Sequence, residues 1–163
     1  YLPEIKDEVK VGGAERGTIY HEVMEKLDYA SPELNELPDC VKRSDIEAFI
    51  ASGLGQEFRS ASAEGRLFRE RQFIMGVPAR ELKLADSDEN VLVQGIIDAY
   101  IEYDDGICLV DYKTDRVSDA HELTDRYESQ LYYYAMALEK MKNKKVTRKI
   151  IWSFALGRAI ELA

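Results

Sequence analysis

Residues 91–116 read VLVQGIIDAYIEYDDGICLVDYKTDR. Two runs of β-branched and aromatic residues flank the turn former Asp104-Asp105-Gly106, a hairpin signature. If the turn centres near Asp105, facing residues sum to about 209 or 210, which puts Asp98 opposite Asp111. Side chains alternate along a strand. Ile97, Ala99 and Ile101 therefore share a face with Cys108, Val110 and Tyr112, and that apolar face should be core. The other face carries Asp98, Asp111 and Lys113, with Gln94 and Glu102 beyond.

Like charges placed opposite each other destabilise a sheet. Two facing carboxylates become tolerable when a cation sits between them. Mg²⁺, held by one or two carboxylates and substrate phosphates, suits such a site. Lys113, two residues after Asp111, points to the same side and is placed to orient a water or stabilise phosphate charge. Spacing alone leaves a second reading open, in which these are surface pairs on the wet face of an edge hairpin. Asp104, Asp105, Asp115 and Asp119 read as turn and loop residues.

The surroundings bound the class. The chain has 163 residues, of which 45% are hydrophobic and 33% charged. That is enough for one globular domain with its own core. No apolar run reaches the length of a membrane span and the first residues do not read as a signal peptide, so a cytoplasmic location is expected. The net charge of −9 argues against a surface that grips nucleic acid by charge alone. No phosphate-cradling Walker A pattern is present. The two cysteines, Cys40 and Cys108, lack metal-ligand spacing.

Along the chain, Ile19, Tyr20, Val23, Met24 and Leu27 recur at helical spacing, so a first helix is expected after VGGAERG. DYASPELNELPD breaks it. Two short helices are expected near 43–51 and 54–63, with Gly53 and Gly55 between them. Residues 66–85 read as a strand, a turn at Gly76–Pro78 and a second strand. Residues 120–142 form the longest helix, striped by Leu123, Tyr127, Leu131, Tyr134 and Leu138. VTRKIIWSFALG reads as one last strand. A long helix between two strands allows a parallel crossover, so the expected class is α/β, a mixed sheet flanked by helices.

GIIDAY…LVDYKTD resembles the core of the PD-(D/E)XK nuclease superfamily, in its RecB-like branch. Four further segments match in order. ERGTIYHEVMEKLD resembles that branch's RGT-x-x-H helix, LFRERQFIMGVPA its RE-x-x-F strand and QLYYYAMAL its Q-L-x-x-Y helix. IWSFALGRAIEL is similar to the ending of nucleases of the AddAB helicase–nuclease type. The resemblance spans nearly the whole chain and implies a restriction-endonuclease-like fold.

The function it implies is a metal-dependent DNA exonuclease, residues 1–163, forming the C-terminal part of a larger helicase–nuclease that processes double-strand ends. It implies Mg²⁺ (or Mn²⁺) on Asp98 and Asp111, with the Tyr112 carbonyl and His21 as further ligands and Lys113 as catalytic lysine. Gln130 and Tyr134 would line the substrate side. Glu70 takes the acidic position of the RE strand. The implied partners are DNA, an upstream helicase region of the same chain and an AddB-like subunit. Two cysteines are too few for the iron–sulfur cluster some relatives carry.

Alternatives stay open residue by residue. Arg16 and Thr18 contact DNA or simply open the helix. Glu70 pairs with Arg69 or Arg71, and Gln130 caps a core helix. KMKNKKVTRK is a solvated helix end or a phosphate contact. A structure-specific or Cas4-like nuclease of the same fold and a catalytically inactive DNA-binding or docking module are the competing functions.

Overall fold

The computed structural model describes residues 13–82 and 85–163. The element order is α1 (Gly13–Lys26), α2 (Arg43–Ala51), α3 (Gly53–Ala63), β1 (Leu67–Pro78), β2 (Asn90–Tyr103), β3 (Gly106–Lys113), α4 (Ala120–Lys142), β4 (Val146–Ser153) and β5 (Arg158–Leu162). The strands make one mixed sheet in sequence order. β3 and β4 run parallel across the α4 crossover, and the other neighbours are antiparallel. This is the expected mixed sheet flanked by helices. Among the described residues, no helix is long and apolar enough to cross a membrane.

Each sheet face builds its own core. Helices α1 to α3 cover one face, where Tyr20, Met24, Phe49 and Phe58 pack on Ala99, Cys108, Val110, Tyr112 and Trp152. Helix α4 covers the other, where Leu123, Tyr127, Leu131 and Leu138 meet Ile107, Leu109 and Ile151. β3 is buried at every position, as expected of a strand covered on both faces.

Several expected boundaries move. Helix α1 begins at Gly13, ahead of the Arg-Gly-Thr segment, so Gly17 and His21 lie one turn apart inside it. Gly53 and Gly55 belong to α3. Its N-cap Ser52 accepts a hydrogen bond from Gly55 N, which satisfies one free donor of the first turn. β1 runs straight through Gly76 to Pro78, because its ladder with β2 continues to Asn90. The expected second strand after it is a turn over 79–82, and residues 83 and 84 lie outside the described residues. The single last strand is two. A turn at 154–157, with Gly157 at φ 63°, folds β5 back on β4. Glycine takes that left-handed conformation without steric cost.

The hairpin register sums to 209, from Ala99↔Val110 to Tyr103↔Gly106. Asp104 and Asp105 form the two-residue turn. Gly106 opens β3 without a positive φ. Its role is clearance, because a Cβ there would collide with the Thr147 side chain.

One facial assignment is corrected. Ile97 packs in the α4-side core, whereas Ala99 and Ile101 pack on the α1 side. β1 changes face at the same level. Leu67 packs on the α1 side, while Phe73, Met75 and Val77 face α4. Between them, Glu70 adopts φ 50°. A left-handed residue inside a strand turns it over, and β2, paired to it residue by residue, turns with it. The reversal falls where Glu70 and Asp98 lie level, between the pairs Arg69↔Ala99 and Arg71↔Ile97.

Candidate active site

The site forms where β1, β2 and β3 meet α1 and α4. Alternation along β3 sends Asp111 and Lys113 towards α4 while Tyr112 packs under α1. Asp98 sits at the reversal of β2. Asp98, Asp111, Lys113 and Gln130 are 7%, 3%, 2% and 7% exposed, so the expected polar face of the hairpin is interior. The surface-pair reading does not hold at that burial.

Lys113 Nζ lies 2.9 Å from Asp111 Oδ2 and donates to Gln130 Oε1 at 2.9 Å. Gln130 Nε2 donates to Tyr134 Oη at 3.3 Å. Gln130 and Tyr134 are one turn apart on α4, so both reach the site from the same face.

Asp98 Oδ2 accepts from Tyr112 N at 2.8 Å and meets His21 Nε2 at 3.1 Å. His21 Nδ1 lies 2.7 Å from the carbonyl oxygen of Gly17, one turn earlier on α1. A carbonyl and a carboxylate are both acceptors, so both ring nitrogens donate and the imidazole is charged. Burial opposes that charge. The Asp98 carboxylate, the Gly17 carbonyl and Asp111 outweigh it and push the pKa up to about 10. Burial likewise opposes ionisation of Asp98, and His21, Lys113 and a contact with Asp111 hold its carboxyl below the usual range.

Glu70 is half-buried and raised to about 7, first by burial and then by the charges of Asp98 and Glu25, against His21. Its expected partners turn elsewhere. Arg69 Nη1 donates to Leu27 O at 2.7 Å, and Arg71 lies over the Phe68 ring. A non-glycine residue with positive φ is uncommon, and such residues cluster at functional sites.

Arg16 turns inward. Its Nη1 donates to Thr114 O at 3.1 Å and its guanidinium lies 4.8 Å from the Tyr20 ring centroid. Thr18 is exposed two residues on. In the basic cluster, Lys142 pairs with Glu102 at 2.9 Å and Arg148 with Glu57 at 2.8 Å. Cys40 is exposed and Cys108 is buried in β3, its thiol pushed up to about 12 by burial.

Two residues given no role at the site by the sequence also reach it, without leaving their expected places. The helical stripe assigns Tyr127 to the core, and Asp115 reads as a loop residue. The Tyr127 ring lies under Lys113 Nζ, 4.0 Å from its centroid, and its hydroxyl donates to Asp115 Oδ2 at 2.7 Å. The available signal was Tyr127's position three residues before Gln130, on the same helix face.

Among the described residues, no three His, Cys, Asp or Glu side chains stand in a metal-holding arrangement. The donor chemistry nevertheless suits a hard cation. Two buried carboxylates converge there, and each is turned onto a positive group, His21 or Lys113.

A sequence profile of the PD-(D/E)XK nuclease superfamily matches residues 1–160. Among curated proteins, the chain is 32% identical over 212 residues to the A subunit of an ATP-dependent helicase/nuclease from Lachnoclostridium phytofermentans, covering 97% of the chain and 15% of that protein. The protein of the same name from Acetivibrio thermocellus is 35% identical over 168 residues, covering 90% and 13%. That of Clostridium botulinum strain Alaska E43 is 32% identical, covering 97% and 15%. The chain thus spans about a seventh of the length of these relatives.

Proposed function

The chain belongs to the PD-(D/E)XK nuclease superfamily, and from that membership we propose that it is the DNA-cleaving domain of an ATP-dependent helicase–nuclease that processes double-strand ends. The observation that carries this reading is the cluster of buried Asp98, Asp111 and Lys113 with part-buried His21 on a restriction-endonuclease-like sheet. Burial of that many charges costs stability, and a functional role is the reason to keep them.

Asp98 and Asp111 would hold Mg²⁺, or Mn²⁺ in its place, with the Tyr112 carbonyl as a further donor; His21 would join them only by giving up the proton it directs at Asp98. Such an ion supplies Lewis-acid polarisation of the scissile phosphate and a more acidic bound water. Lys113 carries a positive charge to the same spot. It positions the attacking water and stabilises charge developing on the phosphate. Gln130 holds the lysine, and Tyr134 holds Gln130. His21 keeps Asp98 ionised through its own charge and tethers it to α1. Glu70 stands beside both as a further acid, its carboxyl turned in by its backbone.

The acidic net charge fits a domain that does not hold DNA by itself. Its basic residues Lys142 and Arg148 are engaged by carboxylates. The DNA path would be completed by a helicase region of the same polypeptide and by an AddB-like subunit. The names of the relatives, which pair a helicase with a nuclease, support this arrangement.

The test is cleavage of single-stranded DNA with Mg²⁺ or Mn²⁺. Asp98→Asn preserves shape and removes the charge. We expect a loss of about 100-fold or more, the scale of removing one preorganised charged group. Equal activity in variant and wild type would sink the reading.

Glu70 separates stability from activity. Glycine adopts the positive φ of this position freely, and removing the carboxyl relieves repulsion from Asp98 and Glu25. Glu70→Gly should raise thermal stability by about 1 kcal/mol while lowering cleavage. A lower melting temperature would show that the backbone is not strained there.

A further inference from the structure

We propose that Tyr127 is a positioning residue for Lys113, and that Asp115 anchors Tyr127 from the loop after β3. The proposal rests on the reading of Lys113 as the catalytic cation.

A lysine side chain has four flexible bonds and reaches its target only if it is held. Lys113 Nζ is fixed from three directions. Asp111 Oδ2 and Gln130 Oε1 each lie at 2.9 Å, and the Tyr127 ring closes a third side at 4.0 Å from its centroid. The first two are the polar partners that a site built on DxK and Gln motifs provides. The ring does something they do not. It is an apolar wall, 3% exposed, whose face attracts the ammonium while denying it water.

The ring is itself held. Tyr127 Oη donates to Asp115 Oδ2 at 2.7 Å, and Arg126 Nη1 reaches the same oxygen. Asp115 follows Lys113 by two residues. The bond therefore ties the chain just beyond β3 to α4, with the lysine between the two ties. Arg126 is exposed, so this brace extends from the buried ammonium to the surface.

Activity on single-stranded DNA is measured on the full chain as kcat and KM, with thermal melting to check folding. Lys113→Ala should lose about 100-fold in kcat. If it cleaves like wild type, the functional reading falls, and this proposal with it. Tyr127→Leu removes the ring and should lower kcat by about tenfold with KM within about twofold, because substrate contacts are untouched. Tyr127→Phe keeps the ring but gives up its bond to Asp115, so its kcat should fall between those of wild type and the Leu variant, and a Phe variant as fast as wild type overturns the anchoring role of Asp115. A Tyr127→Leu variant as fast as wild type, beside an inactive Lys113→Ala, overturns the proposal alone. A Phe variant as slow as Leu does the same.

Should Tyr127→Leu fail to fold, the pair Tyr127→Phe and Asp115→Ala decides. Both delete one shared hydrogen bond, so the double variant should be no slower than the slower single variant. Losses that multiply would mean the two residues act separately, and would overturn the anchoring role of Asp115.

Discussion

Asp111→Ala is expected to abolish cleavage and to cost about 3–5 kcal/mol of stability, the penalty for leaving a buried charge without its partner. Lys113 is 2% exposed and faces Asp111 Oδ2 at 2.9 Å. With the carboxylate gone, the ammonium loses a close anion in a place that water does not reach. The informative comparison is the paired replacement Asp111→Leu with Lys113→Met. Both charges then leave together, into a site bordered by the α4-side core. Stability should return to within about 1 kcal/mol of wild type or exceed it, as when buried ion pairs give way to apolar residues. Cleavage should not return. Urea unfolding and a nuclease assay on the three proteins measure both quantities. A stable single variant, or an active double one, would contradict the account.

Phe49→Ala should cost about 3–5 kcal/mol. Phe49 is fully buried and contacts four aromatic rings edge-on: Phe58 and Trp152 at 5.0 Å, Tyr29 at 5.9 Å and Tyr112 at 6.2 Å between centroids. These link α2, α3 and the loop after α1 to β3 and β4. Rings of that size cannot collapse onto a methyl group, so the cavity stays. Tyr112 lies between Asp111 and Lys113, so loosening its packing should also slow cleavage. Urea denaturation checks the first effect, and a loss under about 1 kcal/mol would show that the α1-side core repacks.

Legibility differed by kind of signal. The hairpin register was readable because the Asp104–Asp105 turn sets it and alternation propagates it. Helix α4 was readable to its ends, 120 and 142, because a long apolar stripe at helical spacing has no competing explanation. The face of Ile97 was not readable. Alternation assumes an unbroken strand, and nothing in the identity of Glu70 announces a left-handed residue. β5 was missed because its short run, Arg158–Leu162, carries too little periodicity to stand apart from the strand before it.

The same division runs through the site. Local pairing alone placed Asp98 level with Asp111 and Lys113 beside them, and the resemblance drew His21, Glu70 and Gln130 to the same place. Relations along one strand, one turn or one helix face were written in the residues, because backbone geometry there converts spacing into direction. Three others came from packing: the polar face of the hairpin is buried, Glu70 turns two strands over at the site, and Tyr127 and Asp115 brace the lysine. Those relations join residues on separate elements. They are settled by how two helical layers pack on a twisted sheet, and no periodicity within a single element encodes that packing.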